Sequence, residues 1–323
     1  LQERSEDEGL KKMLLAVLED EMYSSKFSDY ISHHKNMFID FIVFTGISSI
    51  KDFVKNSKID ILLVNANMAC ELVDIKNIKK VIVLSDGTYT GQQGYPVIFK
   101  YQSAEHIIKE IFAQAADDDQ ITGASHMYSS KQAELIAVFS PFGGAGASTY
   151  ARNMCAEMSG NNNILYINLE IFDSFAEFEK DVESKREYIC GMSEAVYYIK
   201  QKKDKLAFKL EAITNHHKNG YNYILPVEDY RDLYSITPDD MEYFTDVLGR
   251  EAVYDKVVFD IGYISEASLK LLSLCDVLIV PEPSGIIQAN KQHSFERVLI
   301  RSGMEKTINN IKHVKMKERW IPD

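Results

Sequence analysis

The sequence predicts an α/β protein built from two doubly wound parallel-sheet domains, and three observations carry that prediction. Its 323 residues exceed what one ordinary core accommodates. Short apolar runs rich in Val, Ile, Leu and Phe, the pattern of strands buried on both faces, alternate with segments of helical period in both halves. Between 116 and 132 that alternation gives way to Asp117, Asp118, Asp119, Gly123, Ser125, Ser129 and Ser130, the composition of a linker. The expected domains are therefore 1–115 and 133–323, with 116–132 between them.

In the first domain strands are expected at Met13–Leu18, Ile39–Thr45, Ile59–Asn65, Val81–Leu84 and Val97–Phe99. Helices are expected at Met22–His34, Ser48–Asn56 and Ser103–Ala115, the last capped by Ser103 with Ile107, Ile108, Ile111 and Phe112 on one face. In the second domain the strands are Leu135–Phe139, Ile164–Asn168, Tyr223–Leu225, Lys256–Asp260 and Asp276–Val280, with one helix to about Met158 and a long helical stretch to about His217. No repeat of solenoid spacing is present.

Composition excludes several classes of function. A net charge of −12 argues against a broad basic surface for nucleic acid, whose affinity depends on Lys and Arg neutralising phosphates. Cys70, Cys155, Cys190 and Cys275 form no CxxC pair and fit a reducing cytosol better than a zinc or disulfide framework. Neither a signal-peptide pattern nor a run of about 18 apolar residues is present, so a cytoplasmic location is expected. The chain begins at Leu1 rather than Met, which leaves room for native sequence ahead of it.

The segment Ser140-Pro141-Phe142-Gly143-Gly144-Ala145-Gly146-Ala147-Ser148-Thr149 lies between a strand and a helix. Glycines there let backbone N–H groups turn inward, and the helix N-terminus adds donors and a positive dipole end, an arrangement that takes phosphate. The residues expected to contact nucleotide are Gly143, Gly144, Ala145, Gly146, Ala147, Ser148 and Thr149, with the Ser148 hydroxyl helping to hold Mg²⁺. By itself the turn also fits a ligand-free glycine-rich connection. Two further segments favour nucleotide. Lys256–Gly262 is an apolar strand ending in Asp260, where an acid can hold a Mg²⁺-bound water. Cys275–Pro283 is a buried strand running into a loop with Pro281 and Pro283, at the carboxyl edge where α/β sheets bind ligands.

These three segments resemble the MinD/ParA family of deviant Walker A ATPases, whose loop reads Gly-Lys-Gly-Gly-x-Gly-Lys-Thr-Thr and falls here on Pro141–Thr149. Phe142 stands at the signature lysine, which in the family crosses the dimer interface, and Ala147 stands at the P-loop lysine. Asn168 stands at an aspartate associated with hydrolysis in the family's Asp-x-Asp segment, with Glu170 at the second aspartate. The resemblance thus assigns Asp260 and Asn168 to the catalytic positions and implies ATP, Mg²⁺ and a homodimer with facing nucleotide sites. Each lost lysine removes charge-assisted bonds of roughly 1.5–3 kcal/mol, which binding can survive. A missing cationic group at the transition state is worth about 10³–10⁵ in rate, so binding with slow or no hydrolysis is expected. Phe142 is expected to bury apolar surface across the dimer. Arg152 and Lys291 are candidate substitute cations, read in the first instance as surface residues.

The first domain resembles a receiver domain over residues 11–115. Glu19 and Asp20 match the acidic pair, Ser85 the switch hydroxyl and Lys100 the lysine, but Asn65 occupies the acceptor position. An amide is not the carboxylate nucleophile that phosphorylation needs, so no acyl phosphate is expected. An unrelated flavodoxin-like domain with polar strand ends remains the alternative. A receiver-like domain ahead of a deviant ATPase is the architecture of the TadZ/CpaE pilus-assembly proteins, which the segments Gly220–Pro226 and Thr237–Asp240 also resemble. That resemblance implies a factor at the cell pole, with a polar marker and the Flp pilus (Tad secretion) machinery as partners. The rival readings are an active ATPase cycling on membrane or DNA, and a response regulator with an ATPase-like output domain.

Other features carry less. His33-His34, His216-His217 and the run Lys200–Lys205 read as solvated faces. Lys312–Trp320 resembles a MinD membrane tail in composition but forms no clean apolar stripe, which argues against direct membrane attachment.

Overall fold

Parallel strands buried on both faces organise each half of the chain, because the apolar runs contain too few polar residues to face water on either side. The computed structural model describes residues 12–33, 39–72, 75–88, 94–121, 132–172, 191–203, 205–251 and 253–316. The chain divides into two units, Leu1–Tyr128 and Ser129–Asp323.

The first unit runs β1 (Met13–Leu18), α1 (Glu21–His33), β2 (Ile39–Val43), α2 (Ile47–Phe53), β3 (Ile59–Asn65), β4 (Ile78–Ser85), β5 (Val97–Phe99) and α3 (Ala104–Asp117). Its five strands are all parallel in the order β2-β1-β3-β4-β5, the flavodoxin-like winding with its switch point between β1 and β3. Ser103 caps α3 by accepting from the His106 N–H. The helix runs on through Asp117 and buries Ala115 and Ala116, so the linker expected from 116 begins later. Residues 122–131 of that stretch lie outside the described residues.

The second unit comprises β6 (Glu134–Phe139), α4 (Ala147–Met158), β7 (Ile164–Leu169), α5 (Met192–Lys200), α6 (Leu206–Ile213), β8 (Thr214–His216) and β9 (Asn222–Ile224). It continues with α7 (Tyr230–Ser235), α8 (Pro238–Asp246), β10 (Lys256–Ile261), α9 (Glu266–Leu274), β11 (Val277–Pro281), α10 (Ile286–Arg301), α11 (Glu305–Asn309) and β12 (Ile311–Val314). The seven strands are ordered β12-β11-β6-β10-β7-β9-β8, parallel except for β8 against β9. The register sets Asp260 of β10 beside Asn168 of β7 and Val138 of β6. The three strand ends that carry the site are thereby brought level. Beneath them Ala151 and Cys155 of α4 pack on Val138, Tyr166 and Val258.

Three sequence expectations change. The long helical stretch to His217 resolves into α5, α6 and the antiparallel edge strand β8, with residues 173–190 outside the described residues. The lysine run is a solvated face only at its start: Lys200, Gln201 and Lys202 are exposed, with Lys200 paired to Asp240 at 2.9 Å, whereas Lys203 lies over the rings of Tyr197 and Tyr198 and Lys205 is buried. The C-terminal stretch opens as a strand, β12, paired with β11, with Val314 and Met316 against the core. Its residues 317–320 lie outside the described residues, as do His34 and the His33 side chain. His216 is exposed, whereas His217 stacks on Tyr221 at 4.5 Å. No helix among the described residues is long and apolar enough to cross a membrane.

The start of α8 shows how strongly local chemistry sets an element boundary. Thr237 accepts from the Asp240 N–H at 3.2 Å while Asp240 accepts from the Thr237 N–H at 3.0 Å, and Pro238 occupies the first turn. Thr237→Ala is expected to lower stability by about 1 kcal/mol, read as a lower urea midpoint with an unchanged m-value.

Candidate nucleotide site

The turn after β6 owes its shape to glycine at two points. Gly144 and Gly146 have φ of 74° and 81°, left-handed values that side chains disfavour, and Gly146 caps α4 without any side-chain hydrogen bond. A Cβ placed on Gly143, Gly144 or Gly146 would meet nothing within 4 Å, so the turn faces open space at the N-terminus of α4. Ala145 and Ala147 are half-buried and Thr149 is exposed on the first turn of that helix. Pro281 closes β11 as a buried residue, with Pro283 half-buried in the loop that follows.

At the mouth of the turn the Ser148 hydroxyl donates to Glu170 Oε1 at 3.0 Å. Asp260 is 1% exposed and accepts from the Tyr166 hydroxyl at 2.8 Å. Burial, then the negative charge of Glu170, push the Asp260 carboxyl up to about 6; Tyr166, Ser148 and the Arg152 guanidinium act in the opposite sense. Arg152 is therefore no remote surface residue, since its half-buried side chain acts on this carboxylate. Burial also pushes the Cys155 thiol beneath the site up to about 12, which leaves it inert.

Asn168, assigned by resemblance to a catalytic position, is engaged by Glu170. Its amide oxygen accepts from the Glu170 N–H at 2.7 Å and its amide nitrogen lies 3.5 Å from Glu170 Oε2. A carboxamide has no acid–base function of its own, and these contacts hold Glu170 in place. Gly262 completes the arrangement: a Cβ there would fall 2.8 Å from Glu170 Cα and 2.9 Å from its Cγ, so only glycine lets the loop after β10 lie against Glu170.

Phe142 is 3% exposed, packed inward and fastened by its backbone to the Ser140 hydroxyl, which accepts from the Phe142 N–H at 3.3 Å and donates to its carbonyl. It cannot form the apolar dimer contact expected of it. Exposed apolar side chains lie instead beside Pro141, in a groove of about 620 Å³ lined also by Ile264, Ile287, Lys291 and Val298.

Ser148, Glu170 and Asp260 form a hard-oxygen donor set beside a phosphate-shaped turn, and such a set suits Mg²⁺. Among the described residues no three His, Cys, Asp or Glu side chains converge.

In the first unit Glu19, Asn65 and Lys100 meet at the carboxyl strand ends. Glu19 Oε1 accepts from Asn65 Nδ2 at 2.7 Å and from Lys100 Nζ at 3.1 Å. Burial alone would lower Lys100, but the hydrogen bond and charge of Glu19 hold it above its ordinary value. Asp20 is exposed and accepts from the Tyr23 N–H, and the Ser85 hydroxyl accepts from the Gly87 N–H. The sequence could not disclose the Glu19–Asn65 bond or the Tyr166–Asp260 bond, since each joins residues far apart in the chain.

A glycine turn between β6 and α4, beside an acid-bearing β10, gives the second unit the strand–turn–helix arrangement of a phosphate-binding loop in a largely parallel α/β sheet. Solved structures similar to the chain include a ParA family ATPase from Chlorobium tepidum TLS, at 13% identity and a TM-score of 0.43, over 57% of this chain and 85% of that one. A plasmid partition protein from Borrelia burgdorferi B31 bound to AMPPNP is 16% identical with a TM-score of 0.43, over 58% and 89%. The septum site-determining protein MinD from Pyrococcus horikoshii OT3, complexed with Mg-ADP, is 14% identical with a TM-score of 0.39, over 53% and 66%. No protein-family model matches the chain, and no curated protein sequence is similar to it.

The state of Asp260 sets a pH dependence. Burial raises the folded carboxyl to about 6, against an ordinary 3.8. The folded state therefore binds more protons across that window, and stability falls as pH rises through it, with the full penalty above about 6. In the metal-free protein this term is about 3 kcal/mol. Asp260→Asn keeps an acceptor for Tyr166 and is expected to flatten the fall, measured by urea midpoints between about pH 4 and about pH 7; a slope equal to the wild type would contradict the assignment.

Proposed function

We propose that the chain is an ATP-binding localisation factor of the TadZ/CpaE kind, which takes Mg²⁺–ATP at the turn 143–149, dimerises on it, and hydrolyses it slowly or not at all. One observation carries this reading: Ser148, Glu170 and Asp260 gather at the open, glycine-lined N-terminus of α4, while the turn itself contains no lysine. Backbone N–H groups and the helix dipole supply the attraction for phosphate that a lysine would reinforce. Ser148 and Asp260 would hold Mg²⁺, whose charge would offset that of the triphosphate. Glu170, oriented by Asn168 and set against Gly262, shapes the acidic side of the mouth. No group in this set supplies a cation to a transition state, which favours binding over turnover.

The first unit supports a role without phosphotransfer. Its acidic Glu19 is engaged by Asn65 and Lys100, so the strand ends are held together by an internal ammonium. We read this unit as a docking module of a receiver-like kind. Partners would be a marker at the cell pole and the Flp pilus (Tad secretion) machinery, reached from the cytoplasm without direct membrane or nucleic-acid contact.

The test of nucleotide binding is calorimetry of the full chain with Mg²⁺–ATP, where millimolar or tighter binding is expected. Gly146→Val should abolish it, because a β-branched side chain does not adopt the left-handed conformation at that position. A flat wild-type titration, or unchanged affinity in Gly146→Val, would overturn the reading.

Dimerisation is expected to use the exposed Ile264, Ile286 and Ile287 beside the turn, the last 76% exposed. Sedimentation should show an ATP-dependent dimer that persists at high salt, because apolar burial is not screened. Ile287→Asp should return it to monomer. A dimer indifferent to that substitution would move the interface elsewhere.

A further inference from the structure

We propose that Tyr166 is a positioning residue for Mg²⁺: its buried hydroxyl fixes the Asp260 carboxylate in the orientation that serves the metal. The inference rests on the nucleotide reading above and adds to it a residue that no P-loop signature includes. Tyr166 lies in the middle of β7, two residues before Asn168 and on the same face of the sheet. The register sets Tyr166 opposite Val258 and Asn168 opposite Asp260, which makes the phenol the diagonal neighbour of the carboxylate.

Both partners are 1% exposed, and the hydroxyl donates to Asp260 Oδ2 at 2.8 Å. The ring is clamped in the core beneath α4 with Ala151, Cys155 and Tyr221, the last at a ring separation of 6.2 Å. On a ring so packed the hydroxyl oxygen is held in place, and Asp260 Oδ2 lies within its reach as acceptor. Holding one carboxylate oxygen fixes the rotation of the whole group and leaves its other oxygen as the one to serve a metal-bound water. An apolar side chain at 166 would leave that rotation free. The constraint matters more here than in a turn that carries a lysine, because Mg²⁺ must screen a larger share of the triphosphate charge.

Tyr166→Phe removes one oxygen and no packing volume. On the full chain, ATP affinity is measured by calorimetry with Mg²⁺ and again with EDTA, and the ratio of the two is the gain due to metal. Tyr166→Phe is expected to cut that gain by about tenfold or more, the range for a hydrogen bond to a charged group, and to leave the EDTA affinity unchanged. Tyr254→Phe serves as the control, since its buried hydroxyl donates to Glu211 at 3.1 Å, away from the turn, and its loss should leave the gain intact. In Asp260→Asn the further change Tyr166→Phe should do nothing more, because the phenol acts through that carboxylate. An undiminished gain in Tyr166→Phe, an equal loss in Tyr254→Phe, or full additivity with Asp260→Asn would overturn the proposal. A wild type that binds ATP in neither medium would instead overturn the nucleotide reading and this inference with it. If Tyr166→Phe fails to fold, 3-fluorotyrosine placed at 166 carries the test: its ¹⁹F resonance should move on adding Mg²⁺ to the ATP complex, and a static resonance would sink the proposal.

Discussion

A carboxylate at the closed end of a parallel sheet has lost most of its water, and the protein must replace that solvation with fixed groups or leave the acid protonated. At Asp260 the replacement is partial. Tyr166 donates to it, Ser148 and Arg152 lie near enough to favour its charge, and yet burial and Glu170 still raise it. The surrounding geometry follows from this incomplete solvation. The register of β6, β10 and β7 makes the acid level with the turn, and α4 covers the phenol that steadies it. A divalent cation would complete what the protein leaves unfinished.

The two units answer the same electrostatic problem in opposite ways. In the first, Glu19 at the strand ends has an ammonium of its own, Lys100, and an amide where a second carboxylate would add repulsion. That arrangement is partly closed: Glu19 Oε1 is engaged from within the unit, while its buried Oε2 has no hydrogen-bond partner. In the second, the two positions that the P-loop resemblance would give to lysines are filled by Phe142, turned into the interior, and Ala147, on the first turn of α4. The acids there lie beside a turn built from backbone donors, with the Arg152 guanidinium as the cation that acts on Asp260. The first unit thus sets a lysine directly on its buried acid, and the second leaves its buried acid raised.

Much of this was legible in the sequence because long buried strands and glycine turns announce themselves. β1, β3 and β6 fall where the apolar runs put them, and Ser103 caps α3 as its position suggested. Shorter elements did not show. Three residues in β8 and four in β12 are too few for a period, and both take their form from a neighbouring strand rather than from their own composition. Lys200–Lys205 reads as a solvated face because charge reads as exposure, which holds for Lys200 and Lys202 but not for Lys203, drawn over two tyrosine rings, or for Lys205, which is buried. The candidate site was visible residue by residue, but its bonds were not. That Tyr166 reaches Asp260 depends on strand register, whereas the inward turn of Phe142 and the hold of Asn168 on Glu170 depend on local backbone geometry two residues apart in sequence.

Gly262 has a mechanical side. With no side chain between them, the loop after β10 and the backbone of Glu170 lie in direct contact, so neither can shift toward the other without the other yielding. The next residue, Tyr263, leans on Tyr234 at 5.1 Å, and Tyr234 meets Tyr230 at 6.0 Å on the exposed face of α7. With no side chain at 262 to part them, one unbroken series of contacts runs from Glu170 through this loop and row of rings to the exposed face of α7.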